Sequence, residues 1–347
     1  MAHHLITGGN GFLGSRIAKA LLDINEKVTI IDVIEDVDYD RRSTFLKVDI
    51  LNLKELKVIL KEVDYVHHTA ALVPLKKAGK LFWEVNVVGT KNIIEACKEN
   101  NIKHMTHISS SAVFGNVTKK DCPIGTNPSH LFPIEIYGRS KTEAENLVLS
   151  EINNPKSNTT FSIIRPRTII GTERLGIFEI LYEWITENRN IYIIGSGNNI
   201  FQFVHLHDVV NASIKACQFN SNEIFNVGAA EYGTLRQDLE SLIRYAKSTS
   251  KVISLPVYFA IPVLYFLDKI RLSPLGPWHY LTYHKDYYFD IENTKKKLNW
   301  RPKYTNQEML KESYLWYIKN KHRDFKNLSA HKSKLKQGIL SIIKKFS

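Results

Sequence analysis

The chain has 347 residues, 44% of them apolar and 24% charged, with a formal net charge of +12. That length buries a large core and predicts two lobes, and the mix is that of a folded soluble enzyme, not of a disordered or fibrous chain. Nine Lys/Arg and one Asp lie between Lys319 and the C-terminus, a net of +8, so the body is only mildly basic and a broad nucleic-acid face on it is excluded.

Short β-rich runs alternate with amphipathic helical patterns through the first half. Strands are predicted near 4–7, 28–32, 44–48, 64–68, 104–109 and 160–165. Helices are predicted near 12–24, 53–61, 85–100 and 136–152. This order predicts a Rossmann-type α/β fold over residues 1–170, a doubly wound parallel sheet covered on both faces. Asn100-Asn101 is a polar helix stop. The stretch 118–134, with Pro123, Pro128 and Pro133, reads as loop near the substrate entrance. Beyond about 170 come a helix over 175–188, a strand over 191–194, a glycine turn over 195–199, a strand over 201–206 and a helix over 208–217 capped by Asp208. They predict a smaller substrate lobe over 171–317, interleaved with returning core segments, and 318–347 forms a basic amphipathic tail.

Cys97, Cys122 and Cys217 are odd in number and widely spaced, without CxxC metal spacing or a disulfide frame. A reducing, cytoplasmic compartment and no metal are therefore expected. No basic-then-apolar leader is visible, and His3-His4 runs straight into the first strand.

The first strand leads into Thr7-Gly8-Gly9-Asn10-Gly11-Phe12-Leu13-Gly14 and then a helical pattern. Strand, glycine turn and helix N-terminus make an anion cradle, because backbone N–H groups face the ligand and missing β-carbons let a pyrophosphate approach. The strand Val28–Asp32 ends in a carboxylate 18 residues after Gly14. A carboxylate there accepts both hydroxyls of an adenosine ribose and repels a 2′-phosphate, which favours NAD over NADP. Arg41 and Arg42 are the nearby residues that would argue for NADP.

Tyr137 and Lys141 stand four residues apart in Tyr137-Gly138-Arg139-Ser140-Lys141, on one face of a helix. A free phenol is a poor base at neutral pH, but a nearby cation favours the phenolate. Such a tyrosine takes a proton from an alcohol as hydride leaves its carbon, or returns it to a ketone being reduced. Ser109-Ser110-Ser111 sits at the end of a predicted strand, where a doubly wound sheet carries its site. Ser110 is the first candidate to hold the substrate oxygen, and Ser111 the second.

With these motifs in hand, the chain resembles the extended short-chain dehydrogenase/reductase family, in its NAD-dependent epimerase/dehydratase branch. The matching elements are the glycine loop at 7–14, Asp32, Val48-Asp49-Ile50, HHTAA at 67–71, Asn86–Thr90, SSSAVFG at 109–115, YGRSK at 137–141 and Ile164-Arg165-Pro166. The resemblance covers about residues 5–317. It implies that Gly8, Gly11, Phe12, Leu13, Gly14 and Asp32 hold NAD. Asp49 and Ile50 would flank the adenine, Ala70 and Ala71 would line the channel, and Asn86 would steady the sheet near the active-site strand. Lys141 would hold the ribose, and Pro166 and Thr168 would lie near the nicotinamide. Ser110, Tyr137 and Lys141 form the implied catalytic set, and a homodimer is expected.

Departures from the family pattern bear on substrate. Sugar dehydratases of this branch carry Asp-Glu where this chain has Ser111-Ala112, so 4,6-dehydration is not expected. The diphosphate-gripping Arg of sugar-nucleotide epimerases is replaced by Phe201, for which Arg167, Arg174 or Arg271 would substitute. His205 and His207 have no third ligand spaced to join them in a metal site. The 3β-hydroxysteroid dehydrogenase-like members share the catalytic pair and the Ile164-Arg165-Pro166 strand, and they take apolar alcohols. The leading expectation is an NAD-dependent oxidoreductase or epimerase acting at a secondary alcohol or ketone of a carbohydrate-like substrate. The alternative is oxidation of a sterol-like or lipid alcohol.

Two further stretches stay open. Val252–Leu267 has sixteen residues without a charge, interrupted by Pro256 and Pro262. It is too short for a membrane span and reads either as core or as a surface that meets a bilayer or a greasy substrate. In 335–346, Leu335, Ile339, Ile342, Ile343 and Phe346 share a helical face that excludes Lys336, Lys344 and Lys345. That suits an anionic membrane surface, a partner subunit or a frayed terminus.

Overall fold

The apolar runs of the first half become β1 (His3–Thr7), β2 (Lys27–Asp32), β3 (Thr44–Lys47), β4 (Tyr65–His68), β5 (His104–Ile108) and β6 (Thr160–Pro166). Between them lie α1 (Gly14–Asp23), α2 (Leu53–Ile59), α3 (Leu81–Trp83), α4 (Gly89–Glu99) and α5 (Ile136–Ile152). The second half contributes β7 (Thr168–Ile170), α6 (Ile177–Thr186), β8 (Ile191–Ile194), β9 (Phe203–His205), α7 (Leu206–Phe219), β10 (Glu223–Val227) and α8 (Leu235–Tyr245). It continues with β11 (Val252–Leu255), α9 (Val257–Lys269), α10 (Pro277–Thr282), α11 (Glu292–Lys297), α12 (Asn306–Asn320) and α13 (Leu340–Lys345). This computed structural model describes residues 1–347 except 36–38, 74–77, 128–131, 271, 274, 323–337 and 346–347. Pro128, Arg271, Leu335, Lys336 and Phe346 thus lie outside the described residues, as do the side chains of Ile342 and Lys345.

Seven strands pair in parallel in the order β10-β6-β5-β4-β1-β2-β3. The winding reverses between β1 and β4, and a crevice opens there at the strands' C-terminal ends. This is the doubly wound Rossmann-type sheet that the alternation predicts. Asn101 carries the helix stop in the left-handed region at φ 51°.

The sheet continues past residue 170. β10 pairs with β6, and α7 packs on α1, β5 and β6. Glu223–Val227 is short and carries two polar residues, so it gives little apolar signal as a strand. Two small parallel pairs, β8 with β11 and β7 with β9, belong to the second half.

Asp208 does not cap α7. His205 is the N-cap, its Nδ1 accepting the His207 N–H at 3.3 Å. Asp208 is buried inside the first turn, and its carboxylate accepts the Lys303 N–H at 3.1 Å. Its carbonyl accepts the indole N–H of Trp300 at 3.0 Å. The acid therefore clamps the C-terminal segment onto the sheet's helix.

The described end of the tail rests on the body of the protein. α13 has six residues, and Leu340 packs on the core. Lys344 lies against Glu183 of α6 and Glu187 just past its end, at 2.7 and 2.8 Å, so this charge is spent on the protein's own surface. Among the described residues no helix is long and apolar enough to cross a membrane.

Trp300 is fully buried where α7, α11 and the chain toward α12 converge. Trp300→Ala leaves a large cavity, and should lower unfolding free energy by about 3–5 kcal/mol in denaturant titration.

Candidate active site

A cleft of about 590 Å³ opens at the sheet's C-terminal edge. Its floor is the glycine loop. Gly8 has φ +66°, and a β-carbon there would lie 2.8 Å from the Ala70 Cα. A β-carbon on Gly14 would run into the Gly8 carbonyl oxygen. Glycine is thus required for α1 to start against the end of β1. Phe12 and Leu13 complete this wall.

Asp32 borders the cleft at the tip of β2, its carboxylate accepting the Asn10 and Ile34 N–H groups, each at 3.1 Å. Asp49, Ile50, Ala70, Ala71, Pro166 and Thr168 line the same space. Asn86 does not border it. Its amide accepts the Leu72 N–H at 2.8 Å and donates to the Ser140 hydroxyl at 3.0 Å. It ties the loop after β4 to α5, one step behind the cleft.

Ser110, Tyr137 and Lys141 meet on the far wall. Ser110 follows β5, and its hydroxyl accepts the Ala112 N–H at 3.1 Å. Burial raises the Tyr137 phenol above its ordinary range, and a hydrogen bond with Ser110 opposes that shift. Glu135 adds to the rise, whereas Arg174 acts against it. Lys141 is buried and donates from Nζ to the Ile108 carbonyl at 2.7 Å. Burial brings its ammonium down to about 8, with Glu145 pulling the other way. The sequence expectation gave Lys141 the task of stabilising the phenolate. In the fold, Ser110 and Arg174 act on Tyr137, and Lys141 is held by a backbone carbonyl.

Several contributors escape sequence reasoning. Glu145 lies one turn beyond Lys141 and forms a buried ion pair with Arg165. Arg165 also donates to the Thr126 carbonyl at 2.6 Å, and Ser109 donates to Glu145. The four-residue spacing from Lys141 was the one available signal for Glu145. Ile177, Trp278, His279 and Tyr283 close the cleft from the second half, with no local motif to mark them. His205 is hydrogen-bonded to Glu312 at 2.6 Å, outside the cleft. Elsewhere His4, His67 and Cys217 bring donor atoms within 4.8 Å of one another, which sequence spacing does not show. There His4 Nδ1 is 3.2 Å from His67 Nε2, a hydrogen-bonding distance, and burial keeps both rings neutral.

Residues 4–228 match the model of the NAD dependent epimerase/dehydratase family. The chain belongs to this family. A Sinorhizobium fredii protein named "Uncharacterized protein y4nG" is 35% identical over 98% of this chain and 85% of its own length. Mouse sterol-4-alpha-carboxylate 3-dehydrogenase, decarboxylating, is 28% identical over 87% of each chain. The fold resembles that of Bacillus cereus UDP-glucuronic acid 4-epimerase, solved with NAD, at a TM-score of 0.72 and 22% identity, covering 92% of this chain and 100% of that one.

The protein is an NAD-dependent enzyme of the extended short-chain dehydrogenase/reductase type. Its residues fit the cofactor: the cradle at Gly8 and Gly14 has no room for β-carbons, and a carboxylate stands at the end of β2. NAD supplies a hydride acceptor when bound. In calorimetry NAD should bind at least about tenfold more tightly than NADP, because Asp32 repels a 2′-phosphate. Asp32→Ser should narrow that ratio. Equal binding of the two by the unaltered protein would remove Asp32 from the ribose.

Proposed function

We propose that the enzyme oxidises a secondary alcohol carried on an apolar molecule that also bears an anionic group. The observation that carries this reading is the composition of the cleft beyond Tyr137. Leu81, Ile177 and Trp278 give it apolar walls, and Arg174 borders it. Burial pulls the Arg174 guanidinium down to about 10, while nearby phenols, Tyr137 among them, hold it up. Arg174 already lies over the Phe12 and Phe178 rings, and an anion beside the reacting alcohol would add a charge-assisted partner to it. A sugar presents hydroxyls on both faces, and the aliphatic side chains of Leu81 and Ile177 offer them no partner. The substrate named for the mouse relative, a sterol carboxylate, combines an apolar body with a carboxylate.

In this reading Ser110 and Tyr137 hold the alcohol oxygen and Tyr137 takes its proton. Lys141 fixes the nicotinamide ribose and adds positive charge behind the phenol. Arg174 binds the anionic substituent and sets which carbon faces the cofactor.

The test is NADH absorbance over a panel of apolar hydroxy acids and nucleotide sugars, with product analysis for epimers. An apolar hydroxy acid should yield NADH. A nucleotide sugar converted to its epimer, with no apolar alcohol turned over, would overturn the reading. Tyr137→Phe should keep NAD affinity and lower kcat by about 10²–10⁴. Because burial raises the phenol, oxidation by the unaltered enzyme should accelerate as pH rises through the alkaline range, and Tyr137→Phe should flatten that profile. Arg174→Met should raise KM for the anionic substrate more than it lowers kcat.

A further inference from the structure

α9 inverts the ordinary logic of a surface helix. Its outward side chains are the apolar ones: Tyr258 is 85% exposed, Phe259 59% and Phe266 63%. At about 100° per residue these three share a stripe with Pro262, Val263 and Ile270. Val263 and Ile270 are exposed too, and Leu272 extends the patch beyond the helix end. The opposite side, centred on buried Ala260, packs inward. A helix apolar all round is stable when both sides leave water. Thirteen residues reach about 20 Å, short of the ~30 Å hydrocarbon core, so α9 lies along a bilayer and not through it.

Charge supports one occupant of this face. Lys269 ends the helix, its ammonium 5.2 Å from the Tyr265 ring, the posture of a side chain that keeps its head in water. The tail is tied to the same end, the Ile339 N–H donating to the Leu272 carbonyl at 3.0 Å. The sequence just before Gly338 carries Arg323, Lys326, Lys332, Lys334 and Lys336 against one acid, Asp324. An anionic lipid surface complements them.

We propose that α9, with Ile270 and Leu272, is a docking face for bilayers that contain anionic lipid. α10 packs against α9, and its Trp278 and His279 line the cleft. Docking therefore sets the cleft beside the lipid surface. Resting on the function proposed above, this adds that the alcohol is an amphiphile taken up from the membrane.

Flotation of the full-length protein with phosphatidylcholine vesicles, with and without about one-third phosphatidylserine, tests the face directly and needs no substrate. The protein should float with the anionic vesicles and much less at about 0.5 M salt. Combined Tyr258→Ser, Phe259→Ser and Phe266→Ser should reduce vesicle partitioning at least about tenfold, with melting temperature and NAD affinity unchanged. Should that variant melt early, the single Phe266→Glu gives the same reading. Absence of flotation at low salt, or undiminished flotation of a folded variant, overturns the proposal. A variant that turns from dimer to monomer, when the unaltered protein does not float, assigns the face to a second copy and overturns it too. Turnover of a detergent-dispersed alcohol reads the proposed chemistry separately, so failure of one is distinct from failure of the other.

Discussion

The reactive wall depends on one buried ion pair, Glu145 with Arg165. Glu145 belongs to α5, which also carries Tyr137 and Lys141, and Arg165 belongs to the central strand β6. Both are nearly inaccessible to water, so neither charge is tolerable without the other. The pair fixes α5 against the sheet in rotation and in register. Ser109 donates to the same carboxylate, which joins the end of β5 to the arrangement. Lys141 is then carried to the Ile108 carbonyl, and Tyr137 to Ser110. A helix held by apolar packing alone would slide at little cost, and these contacts would loosen.

The pair also sets the local electrostatics. Burial would discharge Lys141, and Glu145 one turn away limits that effect. The ammonium near pH 8 is therefore a compromise between desolvation and a neighbouring anion. The sheet behind is rich in histidine yet adds no positive charge. His68 is hydrogen-bonded to Thr7 and Thr90, at 2.7 and 2.9 Å, and burial keeps it and His107 neutral.

The cofactor half of this enzyme was legible because its signals are local. Glycines without room for β-carbons, a carboxylate at a strand end and a Tyr–Lys pair one helical turn apart each fall within a few residues. Strands β1 to β6 were legible for the same reason, as short apolar runs. The substrate half follows another rule. Trp278 and Tyr283 reach the cleft from more than a hundred residues beyond Tyr137, and no periodicity records that return. Asp208 misled because an acid at a helix start resembles a cap, whereas burial and the Lys303 N–H give it a tertiary partner. For Lys141, spacing marks the residue but not the Ile108 carbonyl that its ammonium meets.

The proposed anion site ties specificity to chemistry. In the free enzyme Arg174 helps hold down the Tyr137 phenol. Once Arg174 engages a substrate anion, its field at the phenol is largely cancelled. The phenolate must then rely on Ser110, on Lys141 and on the positive nicotinamide ring. A substrate anion placed close to the reacting carbon would thus make proton removal by Tyr137 depend on cofactor already bound. That coupling favours an ordered sequence, cofactor before alcohol, and follows from two cations and one phenol sharing one cleft.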